Sequence, residues 1–126
     1  MGEAYEIRLD DKYGQLRPFD VGEEAAAVTD RWFNQTLTTV NDAVVRLGVV
    51  EGEFHWHKHD AEDEFFLVVE GRLEIDVEDA GTIILGPSQA VTIPKGLMHR
   101  PRAPQRTVIV MVEPATVVPT GDSGQA

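Results

Sequence analysis

Phe54-His55-Trp56-His57-Lys58-His59-Asp60-Ala61-Glu62-Asp63-Glu64 is the stretch that decides how this chain is read. His55, His57 and His59 alternate with Trp56 and Lys58. On an extended strand, residues two apart point to the same face, so two neighbouring imidazoles can grip one ion from one side. Trp56 faces the other way and reads as structural. The four residues from Asp60 to Asp63 suit a hairpin loop that brings Glu64, opening the next strand, back beside the histidines. Phe65-Phe66-Leu67-Val68-Val69 follows, apolar on both faces like a strand between two layers. Taken alone, the alternation fits a chelating pair or a solvated strand face. His99, just after the turn Pro94-Lys95-Gly96, is by itself a structural or exposed histidine.

The rest of the chain from Ala43 onward also reads as strands. Val45, Leu47 and Val49 alternate with their neighbours, and Leu73, Ile75 and Val77 alternate with charged residues. Further strands are expected near 82–85, 90–93 and 106–113. Turn residues separate them at Glu70-Gly71, Asp79-Ala80-Gly81 and Gly86-Pro87-Ser88. Many short strands with regular turns indicate an antiparallel sandwich or barrel. Upstream, Asp20 with Glu23 forms a capping pair, and Ala25, Val28 and Trp32 lie on one helical stripe, predicting a short helix over 21–32. Residues 1–41 thus read as an N-terminal arm and helix, 42–115 as the barrel, and 116–126 as an extended tail, one domain in all.

The bulk composition narrows the function classes. The 126 residues carry a net charge of −11, which opposes phosphate backbones and anionic lipid, so neither nucleic acid nor membrane is an expected partner. There is no cysteine, so any metal must sit on His, Asp or Glu. The longest apolar runs, Phe65–Val69 and Val108–Val112, are far too short to span a bilayer. Met1 to Asp10 shows no basic segment followed by an apolar one, and the expected location is cytoplasmic.

Two longer patterns join these pieces. His57-x-His59-x4-Glu64-x6-Gly71 resembles the first cupin motif, in which two histidines and a glutamate are metal ligands. Pro94-x-Gly96-x2-His99 resembles the second, whose histidine completes the set. From Val45 to Gly121 the chain is similar to small stand-alone cupin-domain proteins of the mannose-6-phosphate-isomerase-like type. The similarity includes Trp56-His57-x-His59-Asp60-x-Glu62-Asp63-Glu64, Glu113-Pro114-Ala115 and Thr120-Gly121. That resemblance implies an all-β double-stranded β-helix, a jelly-roll barrel with a short N-terminal helix and frequent homodimerisation. It implies His57, His59, Glu64 and His99 as the ligands. Three departures remove no ligand: Gly52 sits one position late, Ser88 replaces a glycine, and Ala103 stands where Asn is frequent.

Imidazoles with one carboxylate suit a single divalent zinc, manganese, iron, nickel or cobalt ion. Four protein ligands on an octahedral ion leave two positions for a small oxygen-rich ligand. The expected function is Lewis-acid isomerase, epimerase or lyase chemistry, or an oxygenase reaction; the alternative is a sugar- or small-ligand-binding module without turnover. His55, of ligand parity but outside the motif, and Glu62, a loop carboxylate expected to meet water, are the candidates for a general acid or base. Arg100 and Arg102 read as an exposed loop pair, with capture of an anionic substrate as the sharper alternative. Phe66 and Val68 share the parity of Glu64 and read as core. Phe65, Leu67 and Val69 face outward and need cover, which a homodimer would supply. Between the two glutamates, Glu64 is chosen because its backbone is already fixed in a strand.

Because imidazoles bind metal only when neutral, and free histidine titrates near about 6.5, acid should release the ion. Metal content after dialysis across a pH series should fall below that range. Occupancy that survives strong acid would exclude a histidine-dominated site.

Overall fold

The computed structural model describes residues 5–122. Eight strands surround the core: β1 (Glu6–Arg8), β2 (Trp32–Val40), β3 (Ala43–Glu53), β4 (Glu64–Glu70), β5 (Leu73–Val77), β6 (Gly81–Leu85), β7 (Ala90–Ile93) and β8 (His99–Pro114). A single helix, α1 (Val21–Ala26), precedes β2. The main path runs β1-β2-β3-β8-β4-β7, and β5 joins through β8 and carries β6. The fold is the expected jelly-roll barrel.

β8 is the strand on which the others converge. Its first residues pair with β5, from Val77↔His99 to Glu74↔Arg102. Its later residues lie between β3 and β4, with Leu47↔Val110 on one side and Leu67↔Val110 on the other. Serving two faces requires the strands to bend, and the register shifts between Val50 and Gly52 and between Val68 and Glu70. The turn after β4 explains the glycine that closes the first motif. Gly71 has φ of 96°, and a Cβ there would lie 2.8 Å from the Arg106 carbonyl oxygen. Ser88, the residue replacing a motif glycine, likewise adopts a positive φ of 71°, so the substitution keeps the left-handed turn without glycine's freedom.

The N-terminal part departs from expectation. The helix ends at Ala26 instead of continuing to Trp32. The Asp20 cap is present, with its Oδ1 accepting the Glu23 N–H at 2.8 Å. The apparent stripe mixed two destinations: Ala25 and Val28 pack on Phe33, Leu37 and Leu47, whereas Trp32 joins Val50, Phe54 and Ala103. β2 falls within the segment read as an arm, yet it pairs with β3 from Trp32↔Val50 to Val40↔Ala43. Its polar positions are buried too, which hides the alternation. Gln35 Nε2 donates to the Asp10 carbonyl at 2.8 Å, and Thr36 Oγ1 accepts from Arg46 Nη1 at 2.8 Å.

The outward face of β4 is only partly covered: Phe65 and Leu67 are half-buried and Val69 is exposed. Phe66 and Val68, on the inward face, join Leu73, Ile75, Ile93 and Ile109 in the main core.

Arg100 and Arg102 lie in strand β8, not in an exposed loop. Both are committed to β5. Asp76 accepts from Arg100 Nη2 at 2.9 Å, Arg102 Nε at 2.8 Å and Thr82 Oγ1 at 2.7 Å. Glu74 pairs with Arg102, and Arg100 reaches Glu53 at 3.3 Å. With these partners neither guanidinium is left over for an anionic substrate. The Arg102 guanidinium, with help from Thr82 and Arg100, holds the Asp76 carboxyl well below the usual carboxylate range. A depressed folded value stabilises the fold above the ordinary carboxylate pKa near about 3.9 and loses that effect in acid. Asp76→Asn should lower stability by about 1–2 kcal/mol at neutral pH. Urea unfolding of both proteins across pH should show the gap closing as pH falls through the acid range; a pH-independent gap would reject the ionic origin.

Candidate metal centre

Four side chains converge at one end of the barrel. Glu64 opens β4 and His99 opens β8, while His57 and His59 lie in the segment after β3. That segment does not form a β3–β4 hairpin, because β3 pairs with β2 and β8 and β4 pairs with β7 and β8. Glu64 meets the histidines through β8. His57 and His99 exchange backbone hydrogen bonds of 3.0 and 2.9 Å. The turn Pro94-Lys95-Gly96 is stitched to the loop beside it. Gly96 N–H donates to the His59 carbonyl at 2.8 Å, and Lys95 N–H to Asp63 Oδ1 at 2.9 Å.

All four groups are buried, and one donor atom from each lies within 4.8 Å of the others. Glu64 Oε1 stands 3.2 Å from His99 Nε2 and 3.4 Å from His59 Nε2. The ring orientations matter here. A carbonyl oxygen can only accept, so His57 Nδ1 donates to the His55 carbonyl at 3.0 Å and His99 Nδ1 to the Leu97 carbonyl at 2.9 Å. In the neutral rings Nε2 then carries a lone pair. His99 Nε2 and Glu64 Oε1 stand at hydrogen-bond distance, a contact that calls for a proton or a metal ion between them. Neither ring nitrogen of buried His59 has a hydrogen-bond partner among the described residues.

The electrostatics agree with a cation site. Burial and the neighbouring His99 push His57 down to about 4, keeping its imidazole neutral at ordinary pH. For Glu64, burial alone would raise the pKa, but contacts with His59, His99 and Glu113 outweigh it and hold the carboxyl well below its usual range. Burial would lower His59, yet Glu64 more than compensates. Three nitrogens and one oxygen, buried and poorly satisfied by the protein itself, are a donor set that fits a divalent transition metal.

A cavity of about 40 Å³ opens beside this cluster, lined by His57 and Glu64 together with Trp32, Phe54, Phe66 and Met111. Its polar lining includes Asn34 and Glu113. Asn34 Oδ1 is buried without a partner. Glu113 is buried and its Oε2 accepts from Arg46 Nε at 2.8 Å. Burial and the adjacent Glu64 charge push the Glu113 pKa up, against the pull of Arg46. Neither Asn34 nor Glu113 stood out as a site residue in the sequence. Glu113 figured only in the Glu-Pro-Ala resemblance, and Asn34 belongs to the strand that the sequence hid.

The remaining candidates lie outside the cavity. The His55 ring stacks on Phe54, with centroids 4.3 Å apart, and its Nε2–H donates to the Thr120 carbonyl at 2.6 Å. Glu62 is not a solvated loop carboxylate: it is 8% exposed, and Thr116 Oγ1 donates to its Oε2 at 2.7 Å. The C-terminal segment, folding back over the loop, is what covers it. Trp56 is exposed, under the Arg100 guanidinium at 5.4 Å from the ring centroid.

Comparison with known proteins agrees with the geometry. A hydroquinone 1,2-dioxygenase from Sphingomonas sp. TTNP3, 15% identical, shares the fold at a TM-score of 0.72 over 81% of this chain and 33% of that one. A cupin-2 domain containing protein from Shewanella frigidimarina NCIMB 400 is 34% identical, with a TM-score of 0.72, covering 76% of this chain and 93% of that one. The uncharacterised protein YdbB of Bacillus subtilis (strain 168) is 44% identical over 89 residues, which are 71% of this chain and 79% of that protein. Residues 43–114, from the start of β3 to the end of β8 and with all four converging side chains among them, match the cupin domain family, and the chain belongs to it.

Proposed function

We propose that this chain binds one divalent transition metal ion, from among zinc, manganese, iron, nickel and cobalt, on His57, His59, Glu64 and His99. We infer that it acts as an enzyme on a small oxygen-bearing molecule held in the adjoining cavity. The observation that carries this reading is the buried cluster of four donors, with Glu64 Oε1 3.2 Å from His99 Nε2 and 3.4 Å from His59 Nε2. A metal held there supplies Lewis-acid polarisation of a bound oxygen.

The chain's own residues do the rest. Trp32, Phe54 and Phe66 exclude water from the cavity wall and strengthen every polar contact within it. Asn34 Oδ1 offers a buried acceptor to a ligand hydroxyl or amide. Glu113, its pKa raised by burial and by the Glu64 charge, is the group proposed to donate to a ligand oxygen or act as general acid. This favours isomerase, epimerase or lyase chemistry over oxygen-dependent cleavage, because such reactions need a proton-handling group in the pocket. The small cavity supports a second reading, a binding module without turnover, since it has room for only a few atoms.

The test is to load the purified protein with each metal and supply small hydroxy acids and dicarbonyls. Rearrangement is followed by NMR and oxygen uptake by electrode. Turnover in the wild type, lost in Glu64→Gln along with at least about a tenfold weaker metal affinity in chelator competition, supports the enzyme. Saturable binding without turnover supports the module. Undiminished metal affinity in Glu64→Gln would sink the site itself.

We also propose a cytoplasmic homodimer that covers the half-buried outward face of β4 around Phe65, Leu67 and Val69. Sedimentation at micromolar concentration should give about twice the chain mass of 13.9 kDa; a species of that mass alone would refute it.

A further inference from the structure

The three clustered histidines are not held alike. His57 and His99 each have Nδ1 tied to a backbone carbonyl, at 3.0 and 2.9 Å, which fixes the tautomer and leaves Nε2 for a ligand bond. His59 has no such carbonyl. Its Nε2 points toward Glu64 at 3.4 Å, yet its Nδ1 is buried with no partner among the described residues. A buried N–H left unpaired is costly, and an imidazole free to choose its tautomer is a poor ligand.

A matching orphan lies beside it. Glu62 is 8% exposed, and its Oε1 is buried with no hydrogen-bond donor among the described residues. Its other oxygen is pinned by Thr116 at 2.7 Å. One nitrogen of His59, one oxygen of Glu62 and one oxygen of Asp122 lie within 4.8 Å of one another. Asp122 is already engaged, its Oδ2 accepting the Asp60 N–H at 2.6 Å and its own N–H donating to the Lys58 carbonyl at 3.2 Å. It is also half-buried, so water can satisfy its remaining oxygen. Glu62 Oε1, being buried, lacks that outlet to water.

We propose that Glu62 is the positioning residue of the metal centre: it accepts the Nδ1–H of His59, fixing the tautomer that presents Nε2 to the ion, and Thr116 of the C-terminal segment holds it in place. The inference rests on the metal reading above for its consequence, but the tautomer it specifies is read in the metal-free protein. It also departs from the expectation that Glu62 merely meets water. Carboxylate partners of ligating histidines raise ligand basicity and orient the ring, and their loss weakens metal binding by about 10- to 100-fold.

The test has two arms. In the first, long-range ¹⁵N–¹H NMR of the metal-free protein at alkaline pH reads each ring. The expected result is an Nδ1–H tautomer for all three histidines in the wild type. In Glu62→Ala, His59 alone becomes a mixture, and the unchanged His57 and His99 signals report an intact fold. In the second arm, cobalt(II) is titrated against a chelator. Affinity should fall about 10- to 100-fold in Glu62→Ala and less in Glu62→Gln, which keeps an acceptor oxygen, with a partial loss in Thr116→Val. Should Glu62→Ala fail to fold, the Gln and Val variants carry both arms. An unchanged His59 tautomer, or a loss that follows Asp122→Asn and spares the Glu62 variants, overturns the proposal. Failure of the wild type to bind cobalt or any other divalent ion would overturn the metal reading instead, and the tautomer arm would still decide the role of Glu62.

Discussion

Glu64 is a carboxylate buried among three imidazoles, and the rest of the structure is arranged around that placement. An ionised carboxylate cannot be withdrawn from water without a partner; the penalty is several kcal/mol or more. Among the described residues the ion-pair partners of Glu64 are His59 and His99. The Nδ1–H groups of His57 and His99 are tied to the carbonyls of His55 and Leu97, which leaves Nε2 toward the cluster. In the proposed reading a divalent ion balances the Glu64 charge.

β8 makes this arrangement possible. One sixteen-residue strand pairs with β3, β4 and β5, and so brings His99 beside residues from the segment after β3 and from the start of β4. The apolar cores under β4 and β5 and under α1 fix the walls. At the other flank of the cluster, Arg46 pairs with buried Glu113, whose pKa is raised by the neighbouring Glu64. The cavity between these walls is aromatic on one side and polar on the other. That contrast is what a small oxygen-bearing ligand needs for orientation. On the outer surface, the Asp76 network ties β5 to β8 and leaves the neighbouring arginines no part in the cavity.

Much of this was legible in the sequence because it follows simple periods. The alternation of His55, His57 and His59, the apolar run after Glu64 and the turn before His99 each reflect one local rule, and β4 to β7 appear close to where those rules place them. Strand β2 was not legible, because Gln35 and Thr36 are buried with satisfied hydrogen bonds and erase the apolar–polar alternation. The helix was overextended because Trp32 shares a stripe with Ala25 by coincidence of spacing while packing elsewhere. Glu62 and Glu113 were misread or missed for a common reason. Their chemistry comes from burial by segments far away in sequence, Thr116 for one and Arg46 with Glu64 for the other, and no local pattern encodes that.

Anomalous X-ray diffraction, recorded at the absorption edge of the metal that copurifies with the protein or is added to its crystals, addresses the metal centre most directly. One strong peak is expected, with His57, His59, Glu64 and His99 all at bonding distance, about 2.0–2.2 Å for nitrogen and oxygen ligands. No peak there, or a peak seated on Glu62 and Asp122 without Glu64, would contradict it.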